Sequence, residues 1–239
     1  MKVTLLIPTL NEMIGMKVIM PQIDKLYQDY LHQILFIDGG STDGTIEWIK
    51  DKNYDLVIQK RRGLKNAYQE ALEKIKGDYV ITFSPDGNSL AESIPALINE
   101  AKKGFDMVIA SRYKGNAKSK DDDILTRFGN FYFTKMINFL FQGKYTDAFI
   151  MLRIYKTQIL TDLDVLNDNA YDFYDNLLNT HLGVEPLLSV RCLKAKLKIS
   201  EIPMDEPARI GGERKLQIIR WGIGYTLQII REIWFWKKN

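Results

Sequence analysis

Side chains that carry oxygen atoms alternate along residues 83–88, which read Phe-Ser-Pro-Asp-Gly-Asn. Ser84, Asp86 and Asn88 follow an apolar run at 79–82, and alternate residues of an extended chain share one face. Such oxygens suit a Mg²⁺ or Mn²⁺ ion, which could in turn hold a phosphorylated ligand. The same residue types are also common in surface turns. The rest of the chain has to decide between a metal site and a turn.

Length and composition restrict the class of protein. The chain has 239 residues, of which 46% are hydrophobic, so it can bury the core of one large domain or of one domain with an appendage. A net charge of +3 is too small to indicate nucleic-acid binding. The single cysteine, Cys192, cannot form an internal disulfide, and two histidines cannot build a zinc cluster. Residues 1–12 lack the pattern of a signal peptide, so a reducing, cytoplasmic compartment is expected.

Short apolar runs alternate with longer helical patterns along the first half of the chain. The runs predict strands at 3–7, 34–37, 56–58, 79–83 and 107–110, with helices at 16–30, 45–52, 65–76 and 91–103 between them. This order predicts an α/β fold with a mixed, mostly parallel sheet that is covered by helices on both faces. Ligands bind to such sheets beyond the carboxyl ends of the strands.

Polar residues follow the predicted strands at those ends. Asp38 follows the second strand and precedes two glycines, so its carboxylate can point at a ligand, although it could also be a turn residue. Ser41 and Asp43 are more typical of helix caps. Arg61 and Arg62, with a glycine after them, open the next helix, where they could bind a diphosphate or form a solvated basic turn.

In order and spacing, five segments of the chain resemble those of family 2 glycosyltransferases of GT-A fold: 8–12, 38–45, 63–78, 84–88 and 104–113. Within that family the chain is most similar to polyprenyl-phosphate glycosyltransferases of the dolichol-phosphate mannose synthase type. The resemblance extends to about Lys215. It implies a GT-A domain at 1–215, followed at 216–239 by an amphipathic helix.

The resemblance implies a donor site for a nucleotide diphosphate sugar. Residues implied in donor binding are Pro8, Thr9, Asn11, Glu12, Asp38, Arg61 and Asp86. Ser84, Asp86 and Asn88 fall on the family's Asp-x-Asp-x-Gln metal motif, with serine for the first aspartate and asparagine for the glutamine. Because neutral oxygens compete poorly with water for a hard cation, Asp86 is the expected main ligand of Mg²⁺ or Mn²⁺, which enters with the nucleotide. Gly39 stands where the family usually has a second aspartate.

The resemblance also implies residues for the acceptor. Arg112 and Arg127 match positions that grip an acceptor phosphate, for which a guanidinium is well shaped. Asp147 and Arg153 remain from a segment whose Thr-Ser-Gly portion is lost here, so they either line the acceptor site or form a plain salt bridge between strands. Glu185 matches a carboxylate near the acceptor and is either a general base or a charge at a helix N-terminus.

Two further segments carry charge. Residues 209–215 resemble a mobile cationic loop that closes over donor and acceptor, with Arg209 and Lys215 as phosphate contacts. The acidic triplet 121–123 predicts a solvated loop and a helix cap rather than a second metal site.

Two helical patterns in the second half carry many apolar side chains. In a helix that begins near Leu125, one polar stripe with Arg127 at its start faces many aromatic residues, which fits either a buried helix or one in a membrane interface. The last helix, at 216–236, has ten uncharged residues between Arg220 and Arg231, fewer than the roughly 20 that span a bilayer. It predicts an interfacial anchor or a helix that packs on the domain or on a partner chain, including a second copy.

Together these patterns predict an inverting hexosyltransferase that acts on a polyprenyl phosphate, such as dolichyl or undecaprenyl phosphate, at the inner face of a membrane. A lipid phosphate is already anionic, since its second pKa is about 6, and needs no general base. If the acceptor is instead a hydroxyl of a lipid-linked or surface polysaccharide, Glu185 or Asp147 must take the proton. A non-catalytic, nucleotide-sugar-binding membrane scaffold is the alternative of another class. The residues predict neither the sugar nor the base of the donor.

Overall fold

The computed structural model describes residues 1–210 and 217–236, in which a seven-stranded sheet lies between two layers of helices. The strands are β1 (Val3–Thr9), β2 (Gln33–Asp38), β3 (Asp55–Ile58), β4 (Tyr79–Thr82), β5 (Met107–Ser111), β6 (Arg153–Lys156) and β7 (Ile199–Pro203). Their order is β3-β2-β1-β4-β6-β5-β7, and all neighbours are parallel except β6, which runs antiparallel to β4 and β5. The predicted α/β class with a mixed, mostly parallel sheet is confirmed.

The helices fall close to their predicted positions. They are α1 (Met13–Tyr30), α2 (Thr45–Asp51), α3 (Leu64–Ala71), α4 (Ser93–Ala101), α5 (Ile124–Phe141), α6 (Ile159–Asp162), α7 (Asp172–Leu178), α8 (Glu185–Lys194) and α9 (Ile218–Arg231). The helix predicted at 65–76 ends earlier, because the chain tightens into a 3₁₀ turn at Leu72–Lys74.

Strands β6 and β7 are the main difference from the sequence prediction. β6 begins with Arg153, whose side chain is fully buried, and ends with an exposed lysine, so it shows no apolar run. β7 pairs in parallel with β5 and carries Glu201 at its centre. β6 lies between β4 and β5 and begins on the side of the sheet where the first five strands leave their polar residues, whereas β7 is an edge strand that ends on that side.

Two cores lie on the two faces of the sheet because successive strand residues point to opposite sides. On β1, Leu5 and Ile7 pack under α1 and α4, whereas Leu6 belongs to the core under α3, α5 and α8. A strand covered on both faces is apolar on both, as the middle of β1 is. Helices therefore cover the apolar side chains on both faces of the sheet. Polar side chains lie at the carboxyl ends of the parallel strands.

Helix α9 packs on the domain along one face. Tyr225, Gln228 and Ile229 are buried, and a Cβ atom on Gly224 would lie 2.8 Å from the side chain of Leu182. The side of α9 that faces the domain thus carries Gln228 besides apolar residues, whereas Arg220 near its start is exposed. The predicted domain boundary at 215/216 lies outside the described residues, and no helix within 1–210 or 217–236 is long and apolar enough to span a bilayer.

A buried ion pair fixes the end of α9 to α8. Arg191 Nη2 and Nε lie 2.9 and 3.0 Å from the two carboxylate oxygens of Glu232, and both side chains are almost completely buried. Arg191 also donates to the carbonyl of Leu163 at 3.0 Å and lies over the ring of Trp236. This bidentate geometry satisfies the guanidinium without water.

We expect Glu232→Ala to destabilise the protein by about 3–5 kcal/mol, because it leaves the charge of Arg191 buried without its carboxylate. Urea denaturation followed by circular dichroism measures the loss. Lys103→Ala is the matched control: it breaks the exposed pair of Lys103 with Glu100 and should cost less than about 1 kcal/mol. Equal losses in the two variants would show that α9 is not held by this pair.

Candidate active site

A cavity of about 450 Å³ lies at the sheet edge where β1, β4, β5 and β7 end and β6 begins. Helices α5, α8 and α9 close its other sides. Its polar lining comprises Glu12, Ser84, Asp86, Asn88, Arg112, Asp121, Asp122, Asn130, Glu185, Glu206 and Arg209. Its apolar lining includes Leu125, Phe133, Phe149, Met151, Ile218, Trp221 and Tyr225. The cavity thus joins a charged part to an aromatic part.

The segment with alternating oxygens forms the base of the charged part. Asp86 is buried, its Oδ1 accepts a hydrogen bond of 3.2 Å from the backbone N–H of Asn88, and its Oδ2 lies 2.9 Å from Arg209 Nη2. Gly87 has a φ of 90°, which favours glycine. Three predicted donor-site residues and Arg209 are therefore brought together here, and the segment is both a turn and a cavity wall.

The oxygens of Ser84, Asp86 and Asn88 are of the kind that Mg²⁺ and Mn²⁺ bind. They include one carboxylate, and no cluster of three metal-binding side chains occurs among residues 1–210 and 217–236. That carboxylate already contacts a guanidinium. The donor set fits a divalent ion if Arg209 yields its position at Asp86 and if a ligand supplies further oxygens.

Asp38 holds the loop between β2 and α2. Its buried carboxylate accepts hydrogen bonds from Gly40 N, Ser41 N and Ser41 Oγ at 2.8, 2.7 and 2.6 Å, and from Thr9 Oγ1 at 3.0 Å. Ser41 Oγ in turn accepts from the backbone N–H of Asn11. These contacts match the alternative of a turn residue.

The other residues predicted to contact the nucleotide lie near this loop or point away from the cavity. Asn11 accepts a hydrogen bond of 2.8 Å from Thr42 N, and Glu12 alone of the segment 8–12 lines the cavity. Arg61 is half exposed, contacts Asp168 at 3.4 Å, and does not line the cavity. Direct contacts of Pro8, Thr9, Asn11, Asp38 and Arg61 with a nucleotide stay predictions.

Arg112 lines the cavity, but carboxylates surround its guanidinium. Nε and Nη2 lie 2.7 and 3.1 Å from the two oxygens of Asp147, while Nη1 makes longer contacts with Glu206 and Asp122 at 3.4 and 3.5 Å. The prediction that Asp122 lies in a solvated loop is therefore wrong. The predicted helix cap is present, because Asp123 accepts a hydrogen bond from Thr126 N at the start of α5. The Nη1 edge, where the contacts are longest, is the one that a phosphate oxygen could share.

Asp147 and Arg153 do not line the cavity, and their predicted contact with an acceptor is corrected. Asp147 is fully buried, and burial raises its pKa. The charge and hydrogen bonds of Arg112 and the hydrogen bond of Asn130 lower the pKa by more than burial raises it, so it lies below its ordinary value. Arg153 is fully buried and donates to Ile150 O at 2.9 Å and Ser189 Oγ at 3.0 Å. Asp147 does form a salt bridge, but with Arg112 rather than within a strand pair.

Glu185 is a buried carboxyl group at the cavity wall. Burial raises its pKa above the ordinary value, against the charge of Arg153 and the hydrogen bond of 3.2 Å that Tyr68 OH donates to Oε1. A carboxyl group with a raised pKa is suited to accept a proton near neutral pH. Glu185 also begins α8, as the second predicted interpretation has it, while its role as a general base stays a prediction.

Two residues predicted to contact phosphate, Arg127 and Lys215, are not among the described residues that line the cavity. Arg127 is exposed on the first turn of α5 and does not line the cavity. Lys215 lies outside the described residues, as does most of the predicted cationic loop. Arg209, at the start of that loop, lies in the cavity.

Sequence reasoning missed Glu206 and the aromatic wall. Glu206 follows β7, and burial raises its pKa against the charge of Arg112. Phe149 lies 5.4 Å from Phe133 and 5.2 Å from Tyr225, measured between ring centroids. Recognising residues 199–203 as a strand would have placed Glu206 at the correct sheet edge, but nothing in the sequence joins the three rings, which come from distant segments.

Comparisons with known proteins show the family of this chain. The family model for glycosyl transferase family 2 matches residues 4–164. The glycosyltransferase AglJ of Haloferax volcanii is 27% identical over 231 residues, which are 96% of this chain and 71% of that protein. A dolichol-phosphate mannosyltransferase of Pyrococcus furiosus is 30% identical over 123 residues, which are 49% of this chain and 35% of that protein. The predicted resemblance is thereby confirmed.

Among solved structures, glucosyl-3-phosphoglycerate synthase of Mycobacterium tuberculosis, in complex with Mn²⁺, UDP and phosphoglyceric acid, has a TM-score of 0.68. The sequence identity is 16%, and the match covers 99% of this chain and 80% of that chain. This likeness concerns the fold, and it confirms the predicted GT-A fold.

The raised pKa of Glu185 predicts a pH-dependent effect of Glu185→Gln on stability. As the pH rises above the ordinary value of 4.5, the unfolded carboxyl group ionises before the folded one, which destabilises the wild-type protein. We therefore expect the variant to gain stability relative to wild type as the pH rises from 4.5 to the folded pKa. Urea unfolding at several pH values measures the difference.

A second variant supplies a control of opposite sign. The hydrogen bond and charge of Lys103 lower the pKa of Glu100, so Glu100→Gln should lose stability relative to wild type as the pH rises. A difference between Glu185→Gln and wild type that does not change with pH would contradict the assignment of a raised pKa to Glu185.

Proposed function

Because the chain belongs to glycosyl transferase family 2, we propose that it transfers a hexose from a nucleotide diphosphate sugar to a polyprenyl phosphate, with inversion at the anomeric carbon. The observation that carries the proposal is one cavity with a charged part and an aromatic part. The charged part suits a diphosphate, and the aromatic part suits an apolar chain. The relative named a dolichol-phosphate mannosyltransferase and the neighbour in complex with UDP support the two substrate classes.

The donor diphosphate binds above Asp86, Ser84 and Asn88 in this proposal. A bound Mg²⁺ or Mn²⁺ would neutralise charge on the leaving diphosphate. Arg209 supplies a further cation at the same place, and the Asp38 loop holds the β2 end rigid for the rest of the nucleotide. A guanidinium near the leaving group stabilises the negative charge that develops there.

The acceptor lies on the opposite side of the cavity in this proposal. Its phosphate approaches the Nη1 edge of Arg112, and the first part of its hydrocarbon chain contacts Phe133, Phe149 and Trp221. An anionic phosphate oxygen attacks the anomeric carbon directly, so no side chain has to remove a proton. Burial raises the pKa of Glu185, so this carboxyl group ionises less readily than an exposed one beside an anionic acceptor.

A hydroxyl acceptor on a lipid-linked glycan is the second candidate, and Glu185 favours it. Its carboxyl group lines the cavity and could take the proton of the hydroxyl. Asp147 is excluded from that role because it is buried away from the cavity and both of its oxygens contact Arg112. The two acceptors therefore differ in their need for Glu185.

An exposed apolar surface continues from the aromatic part of the cavity, and we define it by α5 and α9. Phe131 and Phe139 on α5, Ile219 on α9 and Trp234 after the end of α9 are 59%, 85%, 79% and 65% exposed. Lys135 lies over the ring of Phe131, as cations at a membrane interface do. We propose that this α5/α9 surface lies in the interface of a membrane, on its cytoplasmic face, where the acceptor chain enters the cavity.

We expect wild-type protein to transfer label from one of a panel of nucleotide sugars to polyprenyl phosphate in detergent with Mg²⁺ or Mn²⁺. Asp86→Asn should lower kcat/KM by about 100-fold or more, because it removes the carboxylate below the diphosphate. Glu185→Gln should keep turnover within about threefold if the acceptor is a phosphate, and lose about 100-fold or more if it is a hydroxyl. Lys103→Ala, far from the cavity, controls for folding. No product with any donor would contradict the proposal.

We expect the double variant Phe131→Ser/Phe139→Ser to lose binding to phosphatidylglycerol vesicles by about 100-fold, since each ring buries apolar area worth roughly 1.5–3 kcal/mol. Vesicle sedimentation measures the binding, and Tyr27→Ser on α1 is the control with an exposed ring elsewhere. Unchanged vesicle binding together with a loss of dimers in gel filtration would assign the surface to a second copy of the chain instead.

A further inference from the structure

The carboxylate expected to bind a metal already has a cation beside it. Arg209 Nη2 lies 2.9 Å from Asp86 Oδ2, and the two side chains are 22% and 3% exposed. Two opposite charges at this distance attract each other strongly when both groups are largely removed from water. Any second cation at Asp86 has to compete with it.

Contacts of the neighbouring residue Ile210 hold Arg209 at this position. The neighbouring Ile210 donates a backbone hydrogen bond of 2.8 Å to the carbonyl of Asp86. Its side chain lies against Gly87, where a Cβ atom would be 2.4 Å from Ile210 Cγ1. The segment carrying Arg209 is thus joined to the 84–88 turn by three independent contacts, and the ion pair is part of the fold of the site.

The guanidinium also has an unused donor. Arg209 Nε is buried and has no hydrogen-bond acceptor among residues 1–210 and 217–236. A buried donor without a partner is costly, and a guanidinium presents its N–H groups in a fork that matches two oxygens of a phosphate. An anionic oxygen in the cavity would satisfy this donor.

We propose that Arg209 and a divalent cation are alternative occupants of Asp86, and that Arg209 lets the chain bind a nucleoside diphosphate without metal. The proposal rests on the proposed function for the class of its ligand. Ser84 stands where a second carboxylate would be, so the turn offers one negative charge to two cations that repel each other. Without ligand, the guanidinium neutralises Asp86 and keeps metal out.

The diphosphate changes this balance because it adds negative charge. Its oxygens accept from Arg209 through the unused Nε and the adjacent N–H groups, so the guanidinium moves from the carboxylate to the phosphate. Asp86 then becomes available to a divalent ion. Metal and diphosphate therefore each strengthen the binding of the other. The diphosphate alone binds to Arg209, whereas the metal alone has to compete with Arg209 for Asp86.

Mn²⁺ binding to the free protein, measured by electron paramagnetic resonance, tests the competition. Arg209→Gln should bind Mn²⁺ about tenfold or more tightly than wild type, because a positive charge beside Asp86 is removed. Arg220→Gln makes the same change of net charge on an exposed part of α9 outside the cavity, and it should bind Mn²⁺ like wild type. Equal Mn²⁺ affinities of wild type and Arg209→Gln would overturn the proposal.

Calorimetric titration with UDP and with GDP in the presence of EDTA tests the other half. Wild type should bind one of them without metal, and Arg209→Gln about tenfold or more weakly; Mn²⁺ should restore most of that loss. Arg209→Lys keeps the charge but lacks Nε, so it should exclude Mn²⁺ like wild type and bind the diphosphate less tightly. Metal-free binding that is equal in wild type and Arg209→Gln would contradict the role of Arg209. Failure of both nucleotides to bind even with Mn²⁺ would contradict the proposed donor, while the Mn²⁺ titration would still decide the competition.

Discussion

The buried carboxylate of Asp147 lies behind the cavity and joins three segments that form its walls. It accepts from Arg112 at the end of β5, from Asn130 Nδ2 on α5 at 3.0 Å, and from the backbone N–H groups of Phe149 and Ile150 at 3.3 and 3.2 Å. These contacts fix the positions of a guanidinium, a helix and an aromatic ring relative to one another. A buried carboxylate is stable only with such complete pairing, so the walls cannot shift independently. The charged and aromatic parts of the cavity meet because this one group joins the elements that carry them.

Local patterns predicted the parts of the fold that depend on neighbours in sequence. The first five strands are apolar runs, and the polar residues at their ends followed from the parallel order alone. Strand β6 and the partner of Asp147 depend on contacts between residues far apart in sequence. The family resemblance of its segment predicts that Arg153 lines the acceptor site, yet its donors are satisfied by Ile150 O and Ser189 Oγ. Composition of a segment does not reveal which distant group will pair with its charges.

Helix α9 shows the same limit in another form. An amphipathic pattern specifies the angle between the apolar and polar faces, but a lipid interface and a protein core select the same pattern. The structure uses both faces. Gln228 lies inward and donates a hydrogen bond of 2.9 Å to Ala170 O, and Glu232 directly after the helix pairs with Arg191, while Ile219 and Trp234 point outward. A polar side chain can lie on the buried side of a helix when the domain supplies a partner for its donor or its charge.

The charge of the cavity sets the order in which its ligands can bind. Among the described lining residues, six carboxyl groups, those of Glu12, Asp86, Asp121, Asp122, Glu185 and Glu206, face two guanidinium groups, those of Arg112 and Arg209. Anionic substrates meet net negative charge there unless carboxyl groups are protonated or cations arrive with the substrates. Burial raises the pKa values of Glu185 and Glu206, and Arg209 neutralises Asp86, so the chain reduces this charge by its own means. The 84–88 turn carries one carboxylate instead of two, so the single cation of Arg209 neutralises it. A bound diphosphate adds negative charge, and this charge attracts a divalent cation as the second one.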